Sequence, residues 1–141
     1  METLTVPGTL DSLKPIADYV ISAAASAGLN KKASYNLRLA VDEVATNIII
    51  HGYEEAGREG MINLWGELDE QALSIFIEDT AVEYNPFETD QVEEDELKLP
   101  LEERKLGGLG VYLAIQGVDK FLYERVDNHN RNIFVMKRMS T

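Results

Sequence analysis

Glu43 and Asn47 stand four residues apart in LRLAVDEVATNIIIHGY, so on a helix both side chains leave one face, a turn apart. A carboxylate and an amide at that spacing can hold water and a hard cation, because Mg2+ takes oxygen ligands and keeps several waters while bridging to phosphates. The carboxylate is then placed to act as a general base. A second constellation, Asp79-Thr80-Ala81, follows a run of alternating apolar residues. A carboxylate buried at a strand end can accept a hydrogen bond from an exocyclic amine such as adenine's, while the Thr80 hydroxyl holds a water. The third runs from Lys105 through Gly107, Gly108 and Gly110 into an apolar stretch. Glycines there let the backbone approach an anion, free amides at a helix start point at phosphate oxygens, and Lys105 adds a point charge.

Each pattern has an ordinary counterpart: a solvated helix face, a strand-ending turn, loop punctuation. Neither GxxxxGK[ST] nor GxGxxG is present. His51 has no second His or Cys at ligand spacing and reads as a helix C-terminal residue that complements the dipole. His129 reads as a turn residue.

The elements that must position these residues follow from periodicity. Leu4 to Val6 suits a short edge strand, and Pro7-Gly8 turns the chain so that Thr9 or Asp11 caps a helix ending at Gly28. Asn30 caps a second helix reaching His51, in which Leu37, Val41, Val44 and Ile48 form the buried stripe and Asn36, Glu43 and Asn47 line one flank. Met61 to Leu68 and Ala72 to Glu78 alternate as a hairpin across Asp69-Glu70-Gln71. Phe121 to Val126 and Ile133 to Met139 form a second hairpin across Asp127-Asn128-His129-Asn130, after an apolar helix from Val111 to Gln116. Between them, residues 87–106 carry eight acidic and three basic side chains and read as a long loop. Helices alternating with hairpins suggest an α+β two-layer sandwich.

The 141 residues, 45% of them hydrophobic, suit a single domain over 1–141. A formal charge of −12 argues against direct nucleic-acid or anionic-membrane binding, so any bound anion needs locally arranged donors. The absence of cysteine removes disulfide and thiolate chemistry. No apolar run is long enough to span a bilayer, and the expected location is the cytoplasm.

In order and spacing the three constellations resemble the gyrase/chaperone/histidine-kinase/MutL (GHKL) ATPase superfamily and, within it, the anti-sigma-factor serine/threonine kinases. LRLAVDEVATNIIIHGY resembles the N box, with His51 and Tyr53 where this branch has H-x-Y; IEDTAVEYNPF resembles the adenine box; LGGLGVYLA resembles the phosphate-binding box. The resemblance implies a Bergerat-type fold with a mixed, mainly antiparallel sheet covered by helices on one face, with 87–106 as an ATP lid. It implies ATP and Mg2+ as cofactors, Glu43 as the base or water-positioning residue, Asn47 as the Mg2+ ligand, and Asp79 at the adenine amine, with Gly108 and Gly110 at the phosphates. It also implies an anti-anti-sigma (STAS) protein as phosphoacceptor, a sigma factor as the sequestered partner, and a homodimer. The family has D-x-G at the adenine box; here Ala81 takes the glycine's place, where a methyl would crowd the purine or restrict the backbone. That substitution and the acidic lid motivate an alternative, a partner-switching binding module with weak or no ATP binding and no kinase activity.

Overall fold

A computed structural model describes residues 1–84 and 108–138, with Gly108, Leu109, Gly110 and Tyr112 described by backbone alone. The acidic stretch 87–106, Lys105, Gly107 and the last three residues lie outside the described residues. The elements run β1 (Leu4–Pro7), α1 (Leu13–Ala27), α2 (Lys31–Asn47), β2 (Met61–Leu68), β3 (Ala72–Asp79), α3 (Gly108–Ile115), β4 (Lys120–Val126) and β5 (His129–Lys137). The five strands form one sheet in the order β1-β2-β3-β5-β4. All four pairings are antiparallel, so the parallel pair that a mixed sheet requires is absent among the described residues.

One face of the sheet carries the core. Ile62 and Leu64 of β2, Leu73, Ile75 and Ile77 of β3, and Phe134 of β5 are at most 0% exposed, each worth roughly 1.5–3 kcal/mol of burial. Helix α1 meets them with Ile16, Val20, Ala23, Ala24 and Ala27, and α2 with Leu37, Ala40, Val41, Val44 and Ala45. The apolar content of α1 is therefore spent on the core, with Ile21 left exposed. Gly28 ends α1 at φ 73°, a left-handed conformation that glycine takes without strain. The Asn30 side chain accepts from the Ala33 amide at 2.8 Å and caps α2 as its type predicts.

The start of α1 differs from expectation. Neither Thr9 nor Asp11 caps it: Leu10–Ser12 forms a 3-10 turn, and the Ser12 hydroxyl donates to the Pro7 carbonyl at 2.6 Å. The second hairpin is also tighter than expected. Its turn is Asp127-Asn128, both with positive φ (49° and 66°), as a two-residue turn matched to strand twist demands. His129 and Asn130 are consequently strand residues, and His129 Nδ1 lies 3.1 Å from Glu78 Oε1.

Among the described residues, no helix covers the opposite face of the sheet. Trp65 and Phe76, register partners on β2 and β3, stack there with centroids 5.0 Å apart. Arg131 lies 5.7 Å above the Trp65 ring while bonding Glu78 and Glu124.

Candidate nucleotide site

Asp79 is the last residue of β3, flanked by Ile62 on β2 and Asn130 on β5. Its parity is that of Ile75 and Ile77, which sends the carboxylate to the core face, where it is 2% exposed. Oδ1 accepts from the Ala81 amide at 2.9 Å, in the local turn that Asp favours, and from Asn130 Nδ2 at 3.0 Å. Oδ2 is buried with no partner. Burial pushes the Asp79 pKa above the ordinary carboxylate range, against the opposing effect of those two hydrogen bonds.

Asp79 is among the residues lining a cavity of about 70 Å3, more than the roughly 10–15 Å3 that one water needs. Val44, Ile48 and Ala81 give it apolar walls, while Asp79, Asn47, Asn130 and Asn132 provide polar groups. Asn47, 8% exposed, reaches it from the end of α2. His51 and Gly52 also line it, because the helix does not stop at His51 but widens into a π-helical segment, Ile48–Glu54. Such a segment re-aims side chains by one residue per turn. His51 keeps the helix C-terminal place expected of it, in the last turn of this segment, where its Nδ1 lies 2.8 Å from Oε1 of Glu55, the C-cap residue. Tyr53, from the same segment, is buried; its hydroxyl donates to the Met61 carbonyl at 2.8 Å and accepts from the Thr80 amide at 2.9 Å.

The predicted site residues are thus partly gathered. Asp79 and Asn47 line one cavity. Glu43 stands one turn before Asn47 on α2, half-buried and outside the lining; burial first, and the neighbouring Asp42 charge second, raise its pKa. Thr80 is exposed and sits apart from the cavity, its hydroxyl 3.2 Å from that of Tyr53. Gly108 and Gly110 occupy the first turn of α3. Ala81 is accommodated without strain: it is absent from the non-glycine residues with positive φ, and its methyl occupies space left by Gly52. Ala81 and Gly52 both line the cavity, and the methyl is packed against the glycine.

Two lining residues were missed in the sequence. Asn130 joins the site together: besides Asp79, its Nδ2 donates to the carbonyls of Ala81 (3.3 Å) and Val82 (3.0 Å), and its Oδ1 accepts from Tyr123 and Arg125. Asn132 lies two residues on, 2% exposed. The signal was available in the alternation Asn130, Asn132, Phe134, Met136, which puts two amides at inward positions of a strand.

The chain is an α+β domain with helices on one face of an antiparallel sheet and a buried carboxylate with a free acceptor oxygen beside a polar helix end. A family profile described as histidine kinase-like ATPase domain matches residues 6–137, and the chain belongs to that family. Among solved structures it is similar to the histidine kinase domain from Erythrobacter litoralis EL346 blue-light activated histidine kinase, with a TM-score of 0.55 and 17% identity over 91% of this chain. The chain spans 60% of that structure's length, and the likeness is one of fold. No curated protein matches. The unpartnered Asp79 Oδ2 fits the amine of an adenine ring, which offers donors where the site lacks them.

Proposed function

We propose that this chain is a cytoplasmic, ATP-dependent protein serine/threonine kinase of the anti-sigma-factor type, which phosphorylates an anti-anti-sigma (STAS) partner and sequesters a sigma factor in its other state. The observation that carries the ATP part of this reading is Asp79, with one buried, unpaired carboxylate oxygen, lining a cavity that Asn47 also lines. The kinase part rests on Glu43, one turn from Asn47 and with a raised pKa suited to accepting a proton. Asn47 would hold Mg2+, and that ion would neutralise phosphate charge while keeping several of its waters. Glu43 orients or deprotonates the incoming serine hydroxyl, and Asp79 fixes the base so that the reacting groups meet in line. Gly108 and Gly110, with Lys105 and Gly107 before them, serve the phosphates.

No helix among the described residues is long and apolar enough to cross a membrane. A net charge of −12 suits a basic sigma factor as partner, and that association should weaken steeply with salt. Phosphotransfer from γ-labelled ATP to a STAS partner, compared between wild type and Glu43→Ala, tests the kinase reading; unchanged transfer by the variant would refute it. One observation favours the second reading, a partner-switching module without kinase activity: Thr80 stands outside the cavity, removing one expected nucleotide contact. A partner complex insensitive to nucleotide would support that version.

A further inference from the structure

The two helices that build the core leave a groove on their outer side. Gly28–Asn30 alone separates α1 from α2, and so short a link makes them antiparallel neighbours. Ile21 and Ala25 of α1, Leu29 of the link, and Lys31, Tyr35 and Arg38 of α2 line the groove, around about 330 Å3 of open space. Ile21 is 46% exposed and Tyr35 57%, and Leu39, one turn past Tyr35, is exposed as well. A lone exposed apolar side chain needs no explanation, but several gathered on one helix pair mark a contact surface.

The charge here is opposite in sign to that of the chain. Between Asp18 and Asp42 stand Lys31, Lys32 and Arg38 and no acidic residue, in a chain of net charge −12. Among the described residues none of these three cations has an ion-pair partner. Lys31 and Lys32 occupy the first turn of α2, where free amides already leave partial positive charge and acidic side chains are the favourable choice. Helix stability does not ask for cations there; an anionic partner would.

We propose that this groove docks an acidic amphipathic helix of another protein, with apolar anchors seated among Ile21, Ala25 and Tyr35 and carboxylates on its flanks facing Lys31 and Arg38. From Lys31 to Leu39, α2 runs about 12 Å at ~1.5 Å per residue, the length over which a partner helix presents anchors at i, i+3 or i+4, and i+7. A bilayer of anionic lipid fits less well, because it would also face the acidic remainder of the surface, whereas a helix touches the groove alone. At physiological salt, charges more than about 8 Å away are largely screened. A second copy docked by the same face would set cations against cations. The groove lies at the start of α2 and Asn47 at its end, so this inference is independent of the ATP reading.

The chain lacks cysteine, so Ser26→Cys, exposed beside Ala25, takes a single environment-sensitive dye. Three synthetic helical peptides with a common leucine face, flanked by glutamate, glutamine or lysine, are titrated against it, as are vesicles of phosphatidylcholine with phosphatidylglycerol. Net charge alone favours the lysine peptide. The groove should reverse that order and bind the glutamate peptide about tenfold more tightly than the lysine one, as a few exposed charge pairs allow. Lys31→Glu combined with Arg38→Glu should erase the preference, and Tyr35→Ala should weaken the glutamate peptide at least about fivefold. All three side chains are exposed, so melting temperatures of the variants should stay near that of wild type. No response to the glutamate peptide, a lysine peptide bound as well, or an order unchanged by charge reversal would overturn the proposal. So would a dye response to vesicles alone, or self-association of wild type that Tyr35→Ala abolishes.

Discussion

Gly52 and Ala81 fit together as a small-to-smaller pair: a Cβ built on Gly52 would lie 2.6 Å from the Ala81 methyl. The π-helical segment and the loop after β3 thus meet at a point where only one of the two residues can carry a methyl. Gly52→Ala should destabilise the protein by about 1–3 kcal/mol, as overpacking does. Ala81→Gly in the same chain should recover much of that loss. A double-mutant cycle by urea unfolding measures the coupling, and additive effects would show that the contact is not limiting.

Asp79→Asn separates stability from binding. A carboxylate whose folded pKa is raised favours folding most when protonated; that contribution is complete below its unfolded pKa and is lost as pH rises through the folded value. Above that folded value the wild type therefore bears the cost of a buried charge. Asparagine can still accept from the Ala81 amide, so the variant should unfold at equal or higher denaturant than wild type. Its advantage should shrink on acidification. Its ATP affinity should fall at least about tenfold, because an amide N–H2 turned toward the base amine opposes donor with donor.

For wild type, ATP affinity should decline with acidification at a higher pH than an ordinary aspartate would dictate, since a protonated Oδ2 no longer accepts from an amine. Binding titrated from pH 7 downward, with Asp79→Asn as the flat reference, reads this directly.

The acid limb of the phosphotransfer rate should likewise lie above the usual glutamate range, because burial and Asp42 both raise the Glu43 pKa. Asp42→Asn removes the second cause and should move the limb to lower pH. Glu43→Gln should cost about 10²–10⁴ in rate with ATP binding retained. A rate independent of pH in that region would argue against a titrating base.

Tyr53→Phe keeps the ring but deletes the hydroxyl that bonds the Thr80 amide and the Met61 carbonyl. Leaving those groups unpaired should cost about 1–3 kcal/mol. Faster hydrogen exchange at the Thr80 amide would locate the loss beside Asp79.

Periodicity revealed the frame well. The stripe in α2, the alternation in β2 and β3, the Gly28 stop and the Asn30 cap are local consequences of side-chain type, and each appears where its pattern puts it. The resemblance likewise pointed to the acid at the end of β3 and the amide at the end of α2. What remained hidden depends on non-local pairing. Asn130 looked like a turn residue until the Asp127-Asn128 turn claimed both positive-φ positions, and only the register Asp79↔Asn130 reveals its purpose. The continuation of α2 into a π-helical segment leaves no trace in hydrophobic spacing, because it is settled by how His51, Gly52 and Tyr53 meet β3 and its following loop. Thr80 was assigned by its neighbour; strand alternation turns it away from the cavity that Asp79 faces.

The stacked Trp65 is the chain's one tryptophan, and it lies on the face of the sheet opposite α1 and α2, with the whole thickness of the sheet between it and the cavity that Asp79 lines. Its described ring and cation contacts are Phe76 and the Arg131 guanidinium, so its emission should report sheet integrity and should not change when a ligand enters between α2 and β3. Fluorescence can follow unfolding of loaded and empty protein on a common scale, while saturation must be read by heat or by a labelled nucleotide.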